Sequence, residues 1–165
     1  MLKTSSYKPA DFVHLHVHTF HSMLDGVASP TAILTRAKEL GMKAIAITDH
    51  GSMGAHLEAQ LEADRMGGIK VIFGIEMYIV NDHTVHSKEQ RSAGHLILLA
   101  KNEEGYKNLI KLNNIAWRDG FYYTPRIDFG LLKKYRKGLV CLTACAKGIV
   151  SKSILEKNII DNISQ

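Results

Sequence analysis

The sequence predicts an α/β domain of repeated strand–helix units arranged as an open or incomplete barrel. Three observations carry this. Short apolar runs rich in β-branched residues alternate with segments of helical period, several of those helices have marked ends, and polar residues of metal-binding type sit at the ends of the runs. About five strands are legible in 165 residues. A closed eight-unit barrel takes roughly 250 residues, so this length supports only part of one.

The first run, residues 12–18, alternates strictly: Val13, Leu15 and Val17 on one face, His14, His16 and His18 on the other. Ser29 and Pro30 supply an N-cap and a first helical residue, residues 32–40 run helical, and Gly41 stops them. Residues 43–48 form an apolar strand ending in Asp49, His50 and Gly51. Residues 54–66 read as a helix with Leu57, Leu61, Ala63 and Met66 as its buried stripe. Residues 70–80 are a buried strand containing one acid, Glu76, which needs a cation nearby. A polar loop over 81–94 is followed by a strand at 95–100 and a helix at 102–117 that buries Leu109, Leu112, Ile115 and Ala116. A short basic helix at 129–135, a strand at 139–143 and a helix at 149–160 complete the order. No repeat or linker divides the chain.

At 45% hydrophobic and 22% charged, this is the composition of one soluble domain with a real core. No window approaches the roughly 18 apolar residues of a membrane span, and residues 1–12 lack an apolar signal region. A cytoplasmic protein without a membrane partner is expected. Two cysteines, Cys141 and Cys145, are too few and too close for a disulfide framework. The net charge of +5 suits a polyanion but argues weakly alone.

The unusual number is nine histidines, four of them (His14, His16, His18, His21) within eight residues. His16 and His18 end the first strand, Asp49 and His50 the second, and Glu76 lies in the third. Sites in such folds gather at the carboxyl ends of strands. Asp49 and His50 are the candidate catalytic pair. Mixed imidazole and carboxylate donors, with Asp25 nearby, fit hydrolytic zinc, iron or manganese better than structural zinc, which favours several cysteines. Such cations bind phosphate oxygens and produce hydroxide from water at neutral pH.

Blander readings cover the rest. His14 packs or supports, and His21, His56, His83 and His86 are surface residues. Cys141 belongs to the core, and Cys145 fits a small hydrophobe. The basic stretch at 131–137 is a solvated helix face before it is a nucleic-acid contact. Phe121, Tyr122 and Tyr123 favour core packing over base stacking.

Several runs together resemble one family: FVHLHVHTFHSMLDG at 12–26, KELGM at 38–42, ITDHG at 47–51, GIEMY at 74–78, HLILLAKNEEGYKNL at 95–109 and GFYYTPRID at 120–128. They resemble the PHP (polymerase and histidinol phosphatase) domain that opens bacterial DNA polymerase III alpha subunits. The resemblance implies a distorted, incomplete (β/α)7-type PHP barrel over residues 1–165, the C-terminal portion of the barrel being missing. It implies up to three divalent metal ions (zinc, manganese or iron) on His16, His18, Asp25, His50, Glu76, His95 and Cys145. The family completes its site with a later Asp-x-His pair, and no histidine follows His95 here. The polymerase catalytic carboxylates are also absent, so this chain does not extend a primer.

Implied partners are DNA and other polymerase III holoenzyme subunits or the rest of the alpha subunit. The implied functions are phosphodiester hydrolysis, including 3′–5′ exonuclease proofreading, or a metal-stabilised scaffold that docks the polymerase body or a proofreading subunit. A stand-alone phosphatase acting on a small phosphomonoester is the further alternative. His95 precedes its strand, so an antiparallel return against residues 77–80 is the expected way to bring it to Glu76.

Overall fold

The computed structural model describes residues 12–23, 25–88 and 93–155. Helix α1 (Pro30–Glu39) begins where the cap signal places it, with the Ser29 hydroxyl accepting from Ala32 N at 3.1 Å. Then come β1 (Ala44–Ile47), α2 (His56–Met66), β2 (Lys70–Val80), β3 (Gly94–Ala100), α3 (Glu103–Arg118), β4 (Arg126–Asp128), α4 (Phe129–Tyr135), β5 (Leu139–Leu142) and α5 (Ile149–Leu155). The last part of the expected 149–160 helix lies outside the described residues.

The long strand β2 organises the five-stranded sheet. Its first half pairs parallel with β1, its last three residues pair parallel with β4, and its other edge pairs antiparallel with β3. Strand β5 pairs antiparallel with β3. The sheet is therefore mixed, not the run of parallel βα units that alternation alone implies. The reversal lies at β3, which runs back antiparallel along β2.

Residues 12–18 are extended but form no regular strand. Ala46 N donates to His14 O at 2.8 Å and Thr48 N to Val17 O at 2.9 Å, so this segment advances three residues while β1 advances two. The extra residue is a bulge that breaks the alternation. Leu15 is consequently exposed, not buried.

One face of the sheet carries Ile75, Met77, Ile79, Leu96 and Leu98 against Leu109, Leu112 and Ala116 of α3. Helices α1 and α2 pack with Ile45 and Ile47 of β1 in a second cluster. Helix α2 does not bury the expected leucines: Leu57 is 71% and Leu61 61% exposed, while Ala55, Ala59 and Ala63 face the core. Both stripes have helical spacing, and the small one lets the backbone approach the sheet closely. Cys141, expected in the core, is exposed on the last paired strand. Phe121 and Tyr123 are exposed as well.

His56, expected at the surface, is buried in α2. Its Nε2 donates to Gly74 O at 2.8 Å and its ring packs against Phe73 and Tyr106. Burial holds its pKa below the usual 6.5, only partly opposed by the Gly74 carbonyl. The unfolded chain therefore takes up the proton first, and folding loses stability as pH falls below 6.5. In urea titrations, the stability of the wild type relative to His56→Phe is expected to shrink between pH 7 and pH 5. A pH-independent difference would contradict it.

Asn102 caps α3 by accepting from Gly105 N at 2.9 Å, and Gly105 packs against the turn before β5. A Cβ at Gly105 would lie 1.9 Å from Gly138 O. Glycine to alanine inside a helix ordinarily gains about 1 kcal/mol. Gly105→Ala is instead expected to cost about 1–3 kcal/mol through overpacking, read from thermal unfolding. A raised melting temperature would refute this packing argument.

Candidate metal centre

Four segments bring their polar side chains to one end of the sheet. Strand β1 runs on to His50, whose backbone stays paired with β2: Glu76 N donates to Asp49 O at 3.1 Å and Gly51 N to Glu76 O at 2.9 Å. This sets His50 directly beside Glu76. The antiparallel register places His95 opposite Tyr78 and Ile97 opposite Glu76, so His95 reaches diagonally to the carboxylate. The bulged segment delivers His16 and His18.

Glu76 is the hub. It is fully buried, with Oε2 at 2.9 Å from His16 Nε2, 2.8 Å from His18 Nε2 and 3.4 Å from His50 Nδ1, and Oε1 at 2.7 Å from His95 Nδ1. His16 and His18, about 6.6 Å apart along a regular strand, bring their Nε2 atoms to 2.9 Å because the bulge turns them inward. Asp25 accepts from His50 Nε2 at 2.7 Å. Cys145 Sγ is 3.9 Å from both Glu76 Oε1 and His95 Nδ1. All seven positions expected as ligands thus meet at one site.

The titration of Glu76, His18, His50 and Asp25 is shifted. Burial alone would raise the Glu76 carboxyl, but hydrogen bonds from His18, His95 and His16 and the His50 charge hold it far below the usual carboxylate range. Burial lowers His18, yet the Glu76 hydrogen bond and charge carry it above 6.5. His50 is lowered, because its burial outweighs Asp25 and Glu76. The His50 hydrogen bond lowers Asp25.

The donor set fits divalent cations. His50 Nδ1 is buried without a hydrogen-bond partner and faces Glu76. Three overlapping triads (His16, His18 and Glu76; His18, Asp25 and His50; His50, Glu76 and His95) each place their donor atoms within 4.8 Å of one another. A cation with bonds near 2.0–2.1 Å separates its donors by about 3–3.4 Å, so the first triad needs to open by only a few tenths of an ångström. A fourth triad, Asp82, His83 and Asp128, has its groups engaged in loop and helix-capping bonds.

Asp49, expected to be catalytic, is placed otherwise. It is 1% exposed and its oxygens accept from Thr19 N, Thr19 Oγ1 and Ser22 Oγ. Its side chain lies behind the cluster and makes none of the contacts to Glu76. His83 is half-buried and bonded to Asp128, not a free surface residue.

Sequence reasoning missed Tyr78, Thr19 and Ser22. The Tyr78 ring stacks on His50 at 5.8 Å and meets His95 edge-on at 5.0 Å. Its position two residues after Glu76 on a strand was the available signal. Burial, then the Glu76 and Asp25 charges, raises its hydroxyl.

No helix among the described residues is long and apolar enough to cross a membrane. The chain is 45% identical over 153 residues to a DNA polymerase III subunit alpha from Borreliella burgdorferi, covering 91% of this chain and 13% of that protein. It is 44% identical over 147 residues to the corresponding subunit of Helicobacter pylori, covering 89% and 12%. The chain therefore spans about an eighth of the length of these relatives. Among solved structures, an amidohydrolase from Chromobacterium violaceum aligns with a TM-score of 0.44 at 25% identity, over 62% of this chain and 34% of that one. The PHP domain family matches residues 14–165, nearly the whole length, and the chain belongs to that family.

Proposed function

We propose that this chain is a metal-dependent phosphodiesterase domain of a DNA polymerase III alpha subunit, acting on the 3′ end of DNA in the proofreading direction. One observation carries the reading: a fully buried carboxylate ringed by four imidazoles, with Asp25 and Cys145 at its margin. A group so enclosed serves cation binding better than folding, because four imidazoles around one carboxylate are costly to hold together without a cation.

His16, His18, His50, Glu76 and His95 would hold zinc, manganese or iron, up to three ions, with Asp25 and Cys145 completing the set. Bound cations supply Lewis acidity towards a phosphoryl oxygen and acidify water at neutral pH. The chain's own groups do the rest. Asp25 orients His50 through Nε2, and the Tyr78 ring walls the cluster beside His50 and His95. DNA and the remainder of the polymerase are the partners this reading implies.

The His16→Ala variant is expected to degrade 3′-labelled DNA about 100-fold or more slowly than the wild type in metal-replete buffer. Equal rates would end the proposal. A melting temperature lowered by chelation, with no nuclease activity to lose, would assign the metal to holding a docking scaffold. Turnover of small phosphomonoesters without DNA binding at low salt would make the chain a phosphatase.

A further inference from the structure

We propose that Asp49 is a positioning residue that acts through Ser22: it fixes a proton on His18 Nδ1, presents His18 Nε2 as the coordinating atom, and holds the His50 backbone in register. The inference rests on the metal-centre reading above and names the device that aims two of its ligands.

The argument is a count of donors. Asp49 Oδ1 lies 2.6 Å from Thr19 N and 2.7 Å from Ser22 Oγ, and Oδ2 lies 2.8 Å from Thr19 Oγ1. Three donors converge on a carboxylate that only accepts, so the single hydroxyl proton of Ser22 points to Asp49. Ser22 Oγ then has lone pairs alone for its two other neighbours. One is the His50 backbone N–H at 3.0 Å; the other is His18 Nδ1, also at 3.0 Å. The second contact is a hydrogen bond only if Nδ1 carries the proton. Were the hydroxyl turned to His18 instead, its lone pair would face Asp49 Oδ1 at 2.7 Å with no proton between them.

His18 Nε2, at the other side of the ring, points to Glu76 Oε2 and His16 Nε2. A histidine that coordinates through one nitrogen has its tautomer set by the hydrogen bond of the other. The supporting residues are closely packed. Thr19, Ser22 and Asp49 are each at most 1% exposed, and a Cβ at Gly26 would lie 1.7 Å from Thr19 O. Ser22 O also accepts from Asp25 N and Gly26 N, so the same turn that aims His18 delivers Asp25 to His50.

Long-range 1H–15N spectra of the full chain, labelled at histidine and loaded with zinc, test this directly. The expected result is His18 protonated at Nδ1 with its Nε2 resonance shifted by zinc. Ser22→Ala is expected to lose that tautomer preference and to bind zinc about 10–100-fold more weakly, while Ser22→Thr, which keeps the hydroxyl, retains both. Zinc on His18 Nδ1, or an unprotonated Nδ1 while His16, His50 and His95 respond to zinc, overturns the positioning role and leaves the metal centre standing. Zinc that moves no histidine resonance overturns both. The wild-type spectrum decides the tautomer even where a Ser22 variant fails to fold.

Discussion

Glu76→Ala is expected to abolish divalent-cation binding and to destabilise the metal-free chain in the same stroke. The carboxylate is the one group shared by His16, His18, His50 and His95, and its full burial leaves no solvent to replace it. Removing one partner of such a buried ionic cluster costs about 3–5 kcal/mol. The sign with pH follows from the depressed Glu76 value. Its contribution is present above the unfolded carboxyl value of 4.5 and is lost progressively as pH falls from there towards the much lower folded value. Because Glu76 also raises His18, the variant's deficit shrinks again as pH rises through the folded His18 value above 6.5. Zinc competition assays and urea unfolding in chelator check the two halves separately. Zinc affinity within tenfold of the wild type would remove Glu76 from the centre of the site.

Arg126→Ala is the second large effect, and it lies away from the metal cluster. Arg126 is fully buried at the start of β4, donating to Gly120 O at 2.8 Å, Val85 O at 3.2 Å and His83 O at 3.2 Å, with the Tyr122 ring 5.2 Å from its guanidinium carbon. One planar fork thus ties the loop after β2 to the turn after α3. Truncation leaves three carbonyls without this donor and opens a side-chain-sized void, for about 3–5 kcal/mol. Arg126→Lys keeps the charge but cannot span three carbonyls, and is expected to recover less than about half of that. Urea midpoints at unchanged slope measure both. A loss under about 1 kcal/mol for Arg126→Ala would show that the loop is held by other contacts.

The two effects differ in how visible they were beforehand. Glu76 was conspicuous as an acid inside an apolar, β-branched run, and the histidine cluster at 14–21 supplied two of its four partners, His16 and His18. Arg126 carried no such signal, because nothing local says that three carbonyls elsewhere in the fold lack donors. Asp49 misled for a related reason. It sits next to His50 at a strand end, where reactive groups collect, yet successive strand residues point to opposite faces, and its side chain turns to Thr19 and Ser22. On α2, the period marked an inward face but not which of two stripes it was. Close approach to the sheet selected the alanines over Leu57 and Leu61.

Element order from α1 onward except for the short β4, the helix caps and the identity of the donor groups were properties of the sequence alone, because residue chemistry and hydrophobic period act over a few neighbouring positions. The bulge that folds His16 onto His18, the reversal of β3 that returns His95 to Glu76, and the hydrogen bonds that withdraw Asp49 were settled only in the tertiary structure. Each depends on which backbone and side-chain groups from remote segments satisfy one another once buried.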